Sequence, residues 1–436
     1  GVNSRKNVPP EAMADVTDDN GLEASPHDEG TVYVLASRYR TDNDFAPYIW
    51  KSADYGKSWV NLSKNFPQSE ITRTIREDTV RKGLLFAGTE TGVFTSFDDG
   101  ATWKPLNLNL PAVPVHDIKV KHEDLCIATH GRSFWILDDI SPLRQWDEKY
   151  REQSSHLFAP RTHVRLGINW WAIYGGGVGG GQKNYFVQNG RMGHTFYELG
   201  IVNGERKRKF LDAGGARPYG AIIHYWLGDD AKDVSLSILD AKDQVIRTYE
   251  GDILSQEPGL NRMMWDMNYP DVPAVEGKPA PGIVVQAPVG TYKARLTVNG
   301  ESAVQSFELK MNPNEEYTAE DSAKRFELWW RLRSIFERAN KEITAAMELA
   351  EEAGEDSEIA KRAYEFAGKL VPQGATLSEI ANEPPKMLSK LTTVSSMLFH
   401  SEGPPTKSAY AVVDQMEGLI DAEIEAWKAF RASQGK

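Results

Sequence analysis

The sequence has a single cysteine among its 436 residues, so no internal disulfide can form and stability must come from packing. Acidic residues outnumber basic ones, 62 to 50. The formal net charge of −12 argues against the phosphate backbones of nucleic acids as partners. No apolar run approaches the ~20 residues of a membrane-spanning helix, so we expect no transmembrane segment. Walker and dinucleotide-binding spacings are missing, and we expect no cofactor. The length suggests about two to four packed domains.

One short phrase occurs twice near the start of the chain. Its pattern is Ser-x-Asp-x-Gly-x-Ser/Thr-Trp, the Asp-box hairpin of BNR-type β-propeller blades, and the two copies are about one blade length apart. Asp hydrogen-bonds backbone amides ahead of it and Gly accepts positive φ, so the phrase predicts a tight turn between strands. We interpret both carboxylates as turn residues in preference to catalytic or calcium-binding groups. The two boxes comprise Ser52, Asp54, Gly56, Ser58, Trp59, Ser96, Asp98, Gly100, Thr102 and Trp103.

Alignment around the boxes predicts three propeller blades over residues 21–150, the third without a box. Three blades cannot close a ring, because propellers use typically about 4–8, and an open stack leaves an unpaired edge. We therefore expect the missing blades upstream in a longer precursor or on a separate polypeptide. Residues 1–20 have no initiating Met and no apolar signal core, and read as a linker or an interrupted blade. A cleaved or split protein and a truncated piece both remain open.

The third blade contains the only cysteine. Cys126 falls within a strand, between Leu125 and Ile127. A buried and inert thiol is therefore the preferred interpretation over a nucleophile.

Residues 151–313 predict an immunoglobulin-like β-sandwich, because short strands alternate apolar and polar residues between polar turns. Asn299-Gly300 is a strong two-residue hairpin signal, and Trp265 is expected in the core. A glycine-rich insertion spans 169–215. It lacks a phosphate-binding pattern, so we prefer a flexible insertion that docks by its aromatic residues.

Residues 314–436 predict a helical bundle. Thr318 caps a first helix that runs to Gly354, and apolar residues recur at helical spacing. Further helical segments are expected at 357–370, 377–380 and 385–398, followed by a last helix from about Thr406. The apolar stripes are interpreted as core faces of an antiparallel bundle, with a partner-binding coiled coil as the alternative.

The sequence resembles the C-terminal half of large bacterial sortilin-like BNR-repeat propeller proteins, which are often labelled as glycosyl hydrolases and are xyloglucanase-like. The resemblance covers most of residues 21–435 and departs at the insertion and at residues 1–20. It implies a secreted, periplasmic or cell-surface protein with tandem propellers. The motifs that carry it are residues 23–28, 76–78, 88–93, 97–100, 115–117, 128–139, 259–262, 265–266 and 287–292.

Five residues near the predicted blade tops are candidates for a site. Glu90 and Asp117 are candidate catalytic carboxylates, because glycoside hydrolysis needs two carboxyl groups. His116, His130 and Arg132 are candidate ligand-binding residues able to line a central channel. Arg132 can clamp an anionic ligand, but we prefer an arginine that satisfies buried carbonyls between blades. The histidines lack a recognisable ligand spacing, so no metal site is expected.

Two functions compete at this point. The favoured one is a secreted, non-enzymatic scaffold or binding protein whose ring is closed by a companion propeller fragment or by the N-terminal portion of the same precursor, with a glycan or peptide as ligand. The alternative is a glycoside hydrolase with its catalytic carboxylates mostly on the missing blades. The Asp-Val-Gly-Gly phrase of xyloglucanase-type propellers is absent here.

Overall fold

The fold is mostly β-structure followed by C-terminal helices. The chain divides into two compact units, Gly1–Tyr150 and Arg151–Lys436. Within the described residues, none of the helices has both the length and the apolar character needed to cross a membrane. The computed structural model describes residues 21–165, 183–188, 191–203, 205–211, 220–275, 281–372, 384–399, 401 and 403–435.

The first unit contains three small antiparallel sheets, each made of strands that follow one another along the chain. Sheets 1 and 2 have four strands, and sheet 3 has three. A short helix, α1 (Tyr39–Asp42), connects β2 to β3, and a second helix, α2 (Ser141–Gln145), follows β11. The strands of sheet 1 are β1 (Leu22–Ala24), β2 (Val32–Arg38), β3 (Asp44–Ser52) and β4 (Val60–Asn61); of sheet 2, β5 (Thr72–Glu77), β6 (Leu85–Thr89), β7 (Val93–Ser96) and β8 (Lys104–Pro105); and of sheet 3, β9 (Val115–Lys121), β10 (Asp124–Thr129) and β11 (Phe134–Leu137).

Successive sheets of the first unit pack face to face. Tyr33 and Ile49 of sheet 1 share a core with Ile75 of sheet 2, and Phe86 on the opposite face of sheet 2 shares another core with Ile118 of sheet 3. Every residue of β6 and β7 is therefore buried. In sheet 3 the buried and less buried residues alternate, because only one face of that sheet meets another sheet among the described residues.

Cys126 departs from the sequence expectation. It lies on β10, the middle strand of sheet 3, but it is only half-buried. Leu125 and Ile127 point into the core shared with sheet 2, and the intervening Cys126 points to the opposite face. The prediction of a buried thiol was wrong, because that second face is not enclosed by a sheet in the described residues.

The second unit combines three sheets. Sheets 4 and 5 enclose one apolar core that contains Trp265 and Tyr225. In sheet 5, the strand His163–Arg165 pairs in parallel with the strand Glu301–Met311, and the other neighbours are antiparallel. The strands of sheet 4, in spatial order, are β12 (Ser155–Leu157), β17 (Ala221–Leu227) and β20 (Gly259–Trp265); of sheet 5, β13 (His163–Arg165), β22 (Glu301–Met311), β21 (Gly290–Val298), β18 (Ser235–Leu239) and β19 (Val245–Glu250); and of sheet 6, β14 (Lys183–Gln188), β15 (Arg191–Val202) and β16 (Glu205–Phe210).

Sheet 6 forms part of the predicted insertion. No strands were predicted there, since the glycine-rich text was interpreted as a flexible insertion; β16 carries the basic cluster 206–209. The guanidinium of Arg208 nevertheless lies over the Phe196 ring, 4.8 Å from its centroid. The glycine run at 175–181 lies outside the described residues.

The turn between β21 and β22 is the predicted two-residue hairpin. Val298 pairs with Glu301, which leaves Asn299 and Gly300 as a two-residue loop. Both have positive φ, 53° and 85°, the backbone that a type I′ turn requires.

The C-terminal helices pack around one apolar core. Thr318 accepts a hydrogen bond from the amide of Asp321 and completes a capping box, as its position before an acidic first turn predicts. Trp329 is buried in this core and donates to Ser395 Oγ at 2.8 Å. The predicted segment 377–380 lies outside the described residues. The helices are α3 (Ala319–Ala353), α4 (Glu358–Leu370), α5 (Met387–Phe399) and α6 (Lys407–Ser433).

Candidate functional site

The first strands of sheets 1, 2 and 3 lie side by side and carry a line of alternating charge. Arg76 on β5 contacts Glu23 on β1, with Nη1 3.3 Å from Oε2. Its Nη2 also donates to Asp117 Oδ1 on β9, at 2.5 Å. All three side chains are partly shielded from water. We call Glu23, Arg76 and Asp117 the inner-strand cluster; it links three sheets through one guanidinium.

The Glu23 carboxyl group of this cluster is partly buried. Burial raises its pKa above the usual range, and the nearby Arg76 and Lys119 oppose that rise without cancelling it. Sequence analysis did not single out Glu23 as a site residue. The only signal for it was its position in the motif at residues 23–28, since the pairing with Arg76 joins strands distant in sequence.

Glu90 forms a separate ion pair. Its carboxylate accepts from Arg73 Nε, also on β5, and the Arg73 guanidinium lies 5.9 Å from the centroid of the Tyr39 ring. Glu90 and Asp117 are therefore held by two different arginines of one strand. The charge of each predicted catalytic carboxylate is balanced locally, as in a structural ion pair.

The two predicted ligand-binding histidines come together. The rings of His116 and His130 stack with centroids 5.2 Å apart and an interplanar angle of 13°. The His130 amide donates to Pro114 O at 2.9 Å. This bond connects the residue after β10 to the residue before β9. Both side chains are exposed. Across the described ranges, no group of three or more His, Cys, Asp or Glu side chains is placed to hold a metal ion.

Arg132 corrects the preferred sequence interpretation. It lies in the turn between β10 and β11, and it is exposed, so its guanidinium does not serve buried carbonyls between sheets. A side-chain bond helps to order the turn, since Trp135 Nε1 donates to the Arg132 carbonyl at 2.9 Å. Arg132 is available to an anionic group from solvent.

The first Asp-box is a closed hydrogen-bonded turn. Asp54 Oδ1 accepts from the amides of Lys57 and Ser58, both at 2.9 Å, and Oδ2 accepts from the Ser58 hydroxyl at 2.6 Å. Ser52 Oγ donates to Asp54 Oδ1 and accepts from the Gly56 amide. The carboxylate is thus fully engaged within the turn.

The second Asp-box has the same geometry. Asp98 accepts from the Thr102 amide at 2.8 Å, the Thr102 hydroxyl at 2.6 Å and Ser96 Oγ at 2.8 Å. Gly100 has a φ of 87°. An added Cβ there would lie 2.7 Å from Leu62 Cδ1, so the turn of sheet 2 meets the end of sheet 1.

We expect the first Asp-box to resist acid until the pH is very low. The Ser58 hydroxyl and amide lower the pKa of Asp54 from its usual 3.8 to about 2. Because the folded-state pKa is depressed, the stabilising hydrogen bonds are present above pH 3.8 and are lost as the pH falls through about 2. Carboxyl carbon NMR of Asp54 and hydrogen exchange of the Lys57 and Ser58 amides measure this.

The control is Asp54→Ala, in which these two amides should exchange fast at every pH. An Asp54 midpoint at or above 3.8 would contradict the prediction.

Comparisons with known proteins give only distant structural similarity. No protein-family model matches the chain, and no curated protein matches it. Solved structures that match include a GH74 enzyme from Niastella koreensis (12% identity, TM-score 0.22, 48% of this chain and 28% of that one). They also include the GH74 xyloglucanase from Xanthomonas campestris (12% identity, TM-score 0.21, 65% of this chain and 38% of that one). YCF48 from Cyanidioschyzon merolae matches as well (11% identity, TM-score 0.21, 66% of this chain and 83% of that one).

The GH74 and YCF48 proteins are β-propellers. This chain spans 28% and 38% of the two GH74 proteins named above. At TM-scores near 0.2 the similarity decides neither the fold of this chain nor its activity.

Proposed function

We propose that this chain is a non-enzymatic propeller scaffold or binding protein that acts outside the cytoplasm within a larger assembly. The observation that carries the proposal is the engagement of both candidate catalytic carboxylates by arginines of β5, Asp117 by Arg76 and Glu90 by Arg73. The extracellular location rests on the family resemblance of the sequence.

The proposal treats sheets 1, 2 and 3 as three blades of an incomplete BNR propeller. Supporting it are the shared meander order of the sheets, the Asp-box turns of sheets 1 and 2, and the apolar core between each pair of successive sheets. The missing blades then lie upstream in one precursor or on another chain. Sheets 4 and 5 are assigned to an immunoglobulin-like sandwich on their common core.

The ion pairs favour a structural role over hydrolysis. A glycoside hydrolase needs two carboxyl groups that flank the scissile bond, separated by about 5–9.5 Å with room for the sugar or water. In the inner-strand cluster the Arg76 guanidinium bridges Glu23 and Asp117, so it lies between these two carboxylates. A guanidinium in that place joins neighbouring sheets, as in a structural ion pair.

One observation supports the alternative of a glycoside hydrolase. Burial raises the pKa of Glu23, and a general acid in these enzymes needs a raised pKa. In that case Glu23 serves as the acid and the second carboxylate lies on a missing blade.

The ligand class that suits this unit is a glycan or a peptide with an anionic group. The stacked imidazoles of His116 and His130 offer flat surfaces and donors, and the exposed Arg132 offers a guanidinium fork. These side chains bind without a covalent step.

Assays on the complete assembly from its native source test the proposal. We expect binding on a glycan or peptide array and no polysaccharide hydrolysis above the uncatalysed rate. Any turnover would overturn the scaffold function, and its loss in Glu23→Gln, Glu90→Gln or Asp117→Asn would locate the acid or the nucleophile. Asp147→Asn is the matched control, because Asp147 is an exposed carboxylate that pairs with the nearby Lys149.

A further inference from the structure

The connections between the second and third strands of sheets 1 and 2 lie on one side of the first unit. Tyr39 is in the connection between β2 and β3, and its ring contacts the guanidinium of Arg73 near the start of β5. Glu90, in the turn between β6 and β7, also accepts from Arg73. A Cβ added to Gly88 near the end of β6 would lie 2.7 Å from Val115 Cγ1 at the start of β9. Both connections are therefore on the side where β5 and β9 begin.

The third connection lies on the same side. It joins β10 to β11, and the His130 ring stacks on the ring of His116, the second residue of β9. The His130 amide also donates to Pro114 O, one residue before β9. The three connections thus follow one another along one border of the first unit. We call them the turn rim, which comprises residues 39–43, 90–92 and 130–133.

At sheet 1 the turn rim places an aromatic ring beside two arginines. The Arg40 guanidinium lies 5.4 Å from the centroid of the Tyr39 ring, and its Nε donates to the Tyr39 hydroxyl at 2.8 Å. The Arg73 guanidinium lies 5.9 Å from the same centroid. Arg40 is exposed and Tyr39 is half-buried. This end of the rim therefore combines a flat ring with an exposed guanidinium.

At sheet 3 the turn rim repeats this combination. The imidazoles of His116 and His130 are flat and exposed, and the exposed Arg132 is two residues from His130. In the register of β9 with β10, His116 is skipped, as in a β-bulge, and a bulge re-aims the side chain beside it. The local backbone therefore brings the two rings together next to Arg132.

The carboxylates of the turn rim are balanced by arginines at its border. Asp42 pairs with Arg38, and Glu90 pairs with Arg73. Arg40 and Arg132 add further positive charge at the two ends of the rim. The rim is therefore suited to an anionic ligand, although the whole chain has a net charge of −12.

We propose that the turn rim binds a polysaccharide whose sugar rings carry carboxylates, that is, a chain of uronic acids. Each end of the rim combines a flat ring with a guanidinium, and each unit of such a chain combines a flat sugar ring with a carboxylate. An acidic peptide matches the guanidinium groups but lacks the rings. The proposal rests on the scaffold function and deepens it, because it names the ligand class and adds Tyr39 and Arg40 to the site.

Two separate contact points make the length of the ligand important. One sugar reaches a single end of the rim, whereas a chain that spans both ends makes its second contact as an intramolecular event. We therefore expect the affinity to rise at least about tenfold from galacturonic acid to long oligogalacturonates.

Calorimetric titration of the complete native assembly with oligogalacturonate tests the proposal. We expect the methyl-esterified oligomer, which keeps the sugar rings and loses the charge, to bind at least about tenfold more weakly. Equal binding of the two oligomers, or no binding of either, would overturn the proposal. Poly-glutamate that binds as tightly as oligogalacturonate would also overturn it, because the ligand would then be an acidic peptide. Hydrolysis of any polysaccharide contradicts the scaffold function instead.

Substitutions in the same assembly locate the site. Arg132→Gln and Arg40→Gln each remove one exposed guanidinium, and each should weaken oligogalacturonate binding about fivefold to tenfold. Lys57→Gln is the matched control, because Lys57 is an exposed cation in the first Asp-box turn, at the opposite end of β3 from the turn rim. Its affinity should stay within about twofold, since salt screens a distant exposed charge. Equal losses in the three variants would contradict the proposal and leave the scaffold function standing.

Discussion

Trp265→Ala should lower the free energy of unfolding of the second unit by about 3–5 kcal/mol, the usual cost of a large buried aromatic truncation. Trp265 ends β20 of sheet 4 and is fully buried. Its ring lies 5.1 Å from the Tyr292 ring and 6.2 Å from the Phe307 ring, both on sheet 5. The truncation removes the largest side chain between the two sheets and leaves a cavity. Urea unfolding followed by circular dichroism measures the loss.

Two variants make this result specific. Trp265→Phe should recover part of the loss, because it restores most of the ring but not the hydrogen bond from Nε1 to Asn268 O at 3.0 Å. Trp330→Ala, on a helix position that is 39% exposed, should cost much less. Equal losses at Trp265 and Trp330 would show that Trp265 does not hold the sheets together.

Local sequence signals predicted the elements well. The Asp-box residues form the turns that their side-chain chemistry dictates, since Asp54 and Asp98 bind amides only three or four positions ahead. Thr318 and the Asn299-Gly300 pair act within the same short range. Such features depend on neighbours along the chain, so a single sequence contains all the information they need.

Contacts between sheets could not be predicted from local sequence signals. Arg73 and Arg76 look alike in the sequence, and only the adjacency of β5 to β1 and β9 shows that Arg76 bridges two carboxylates while Arg73 binds Glu90. Glu23 was missed for the same reason. The exposure of Arg132 and the half-burial of Cys126 depend on what lies against sheet 3, which no local pattern records.

The charged residues on the first strands of the first unit connect its sheets. Carboxylates and arginines on the first strands of a sheet stack suggest catalysis when they are read along the sequence. In three dimensions they join neighbouring sheets, Glu23 to Arg76 and Arg76 to Asp117. Under the proposed function, the exposed histidine pair and Arg132 serve in ligand recognition.

Asp78→Ala should destabilise the first unit by about 3–5 kcal/mol, because it breaks a buried ion pair and leaves a shielded arginine without its counter-charge. The Asp78 side chain is fully buried. Arg144 Nε lies 2.8 Å from Oδ1 and 2.9 Å from Oδ2, and the amides of Val80 and Arg81 donate to Oδ2. The ion pair between Arg144 and Asp78 connects α2 to the end of β5, so its loss removes a contact between these two elements. Thermal unfolding monitored by near-ultraviolet circular dichroism measures the effect.

Asp28→Ala is the matched control. Its carboxylate also binds a basic group, Lys82 Nζ at 2.5 Å, but the side chain is 44% exposed, and exposed pairs contribute little to stability. Asp78→Asn should fall between the two, because the amide oxygen keeps an acceptor for the backbone while the charge on Arg144 goes unbalanced. A loss for Asp78→Ala no larger than that for Asp28→Ala would show that burial does not strengthen this pair. The expected order of stability loss is therefore Asp78→Ala, then Asp78→Asn, then Asp28→Ala: burial places both Asp78 variants above Asp28→Ala, and the retained acceptor places Asp78→Asn below Asp78→Ala.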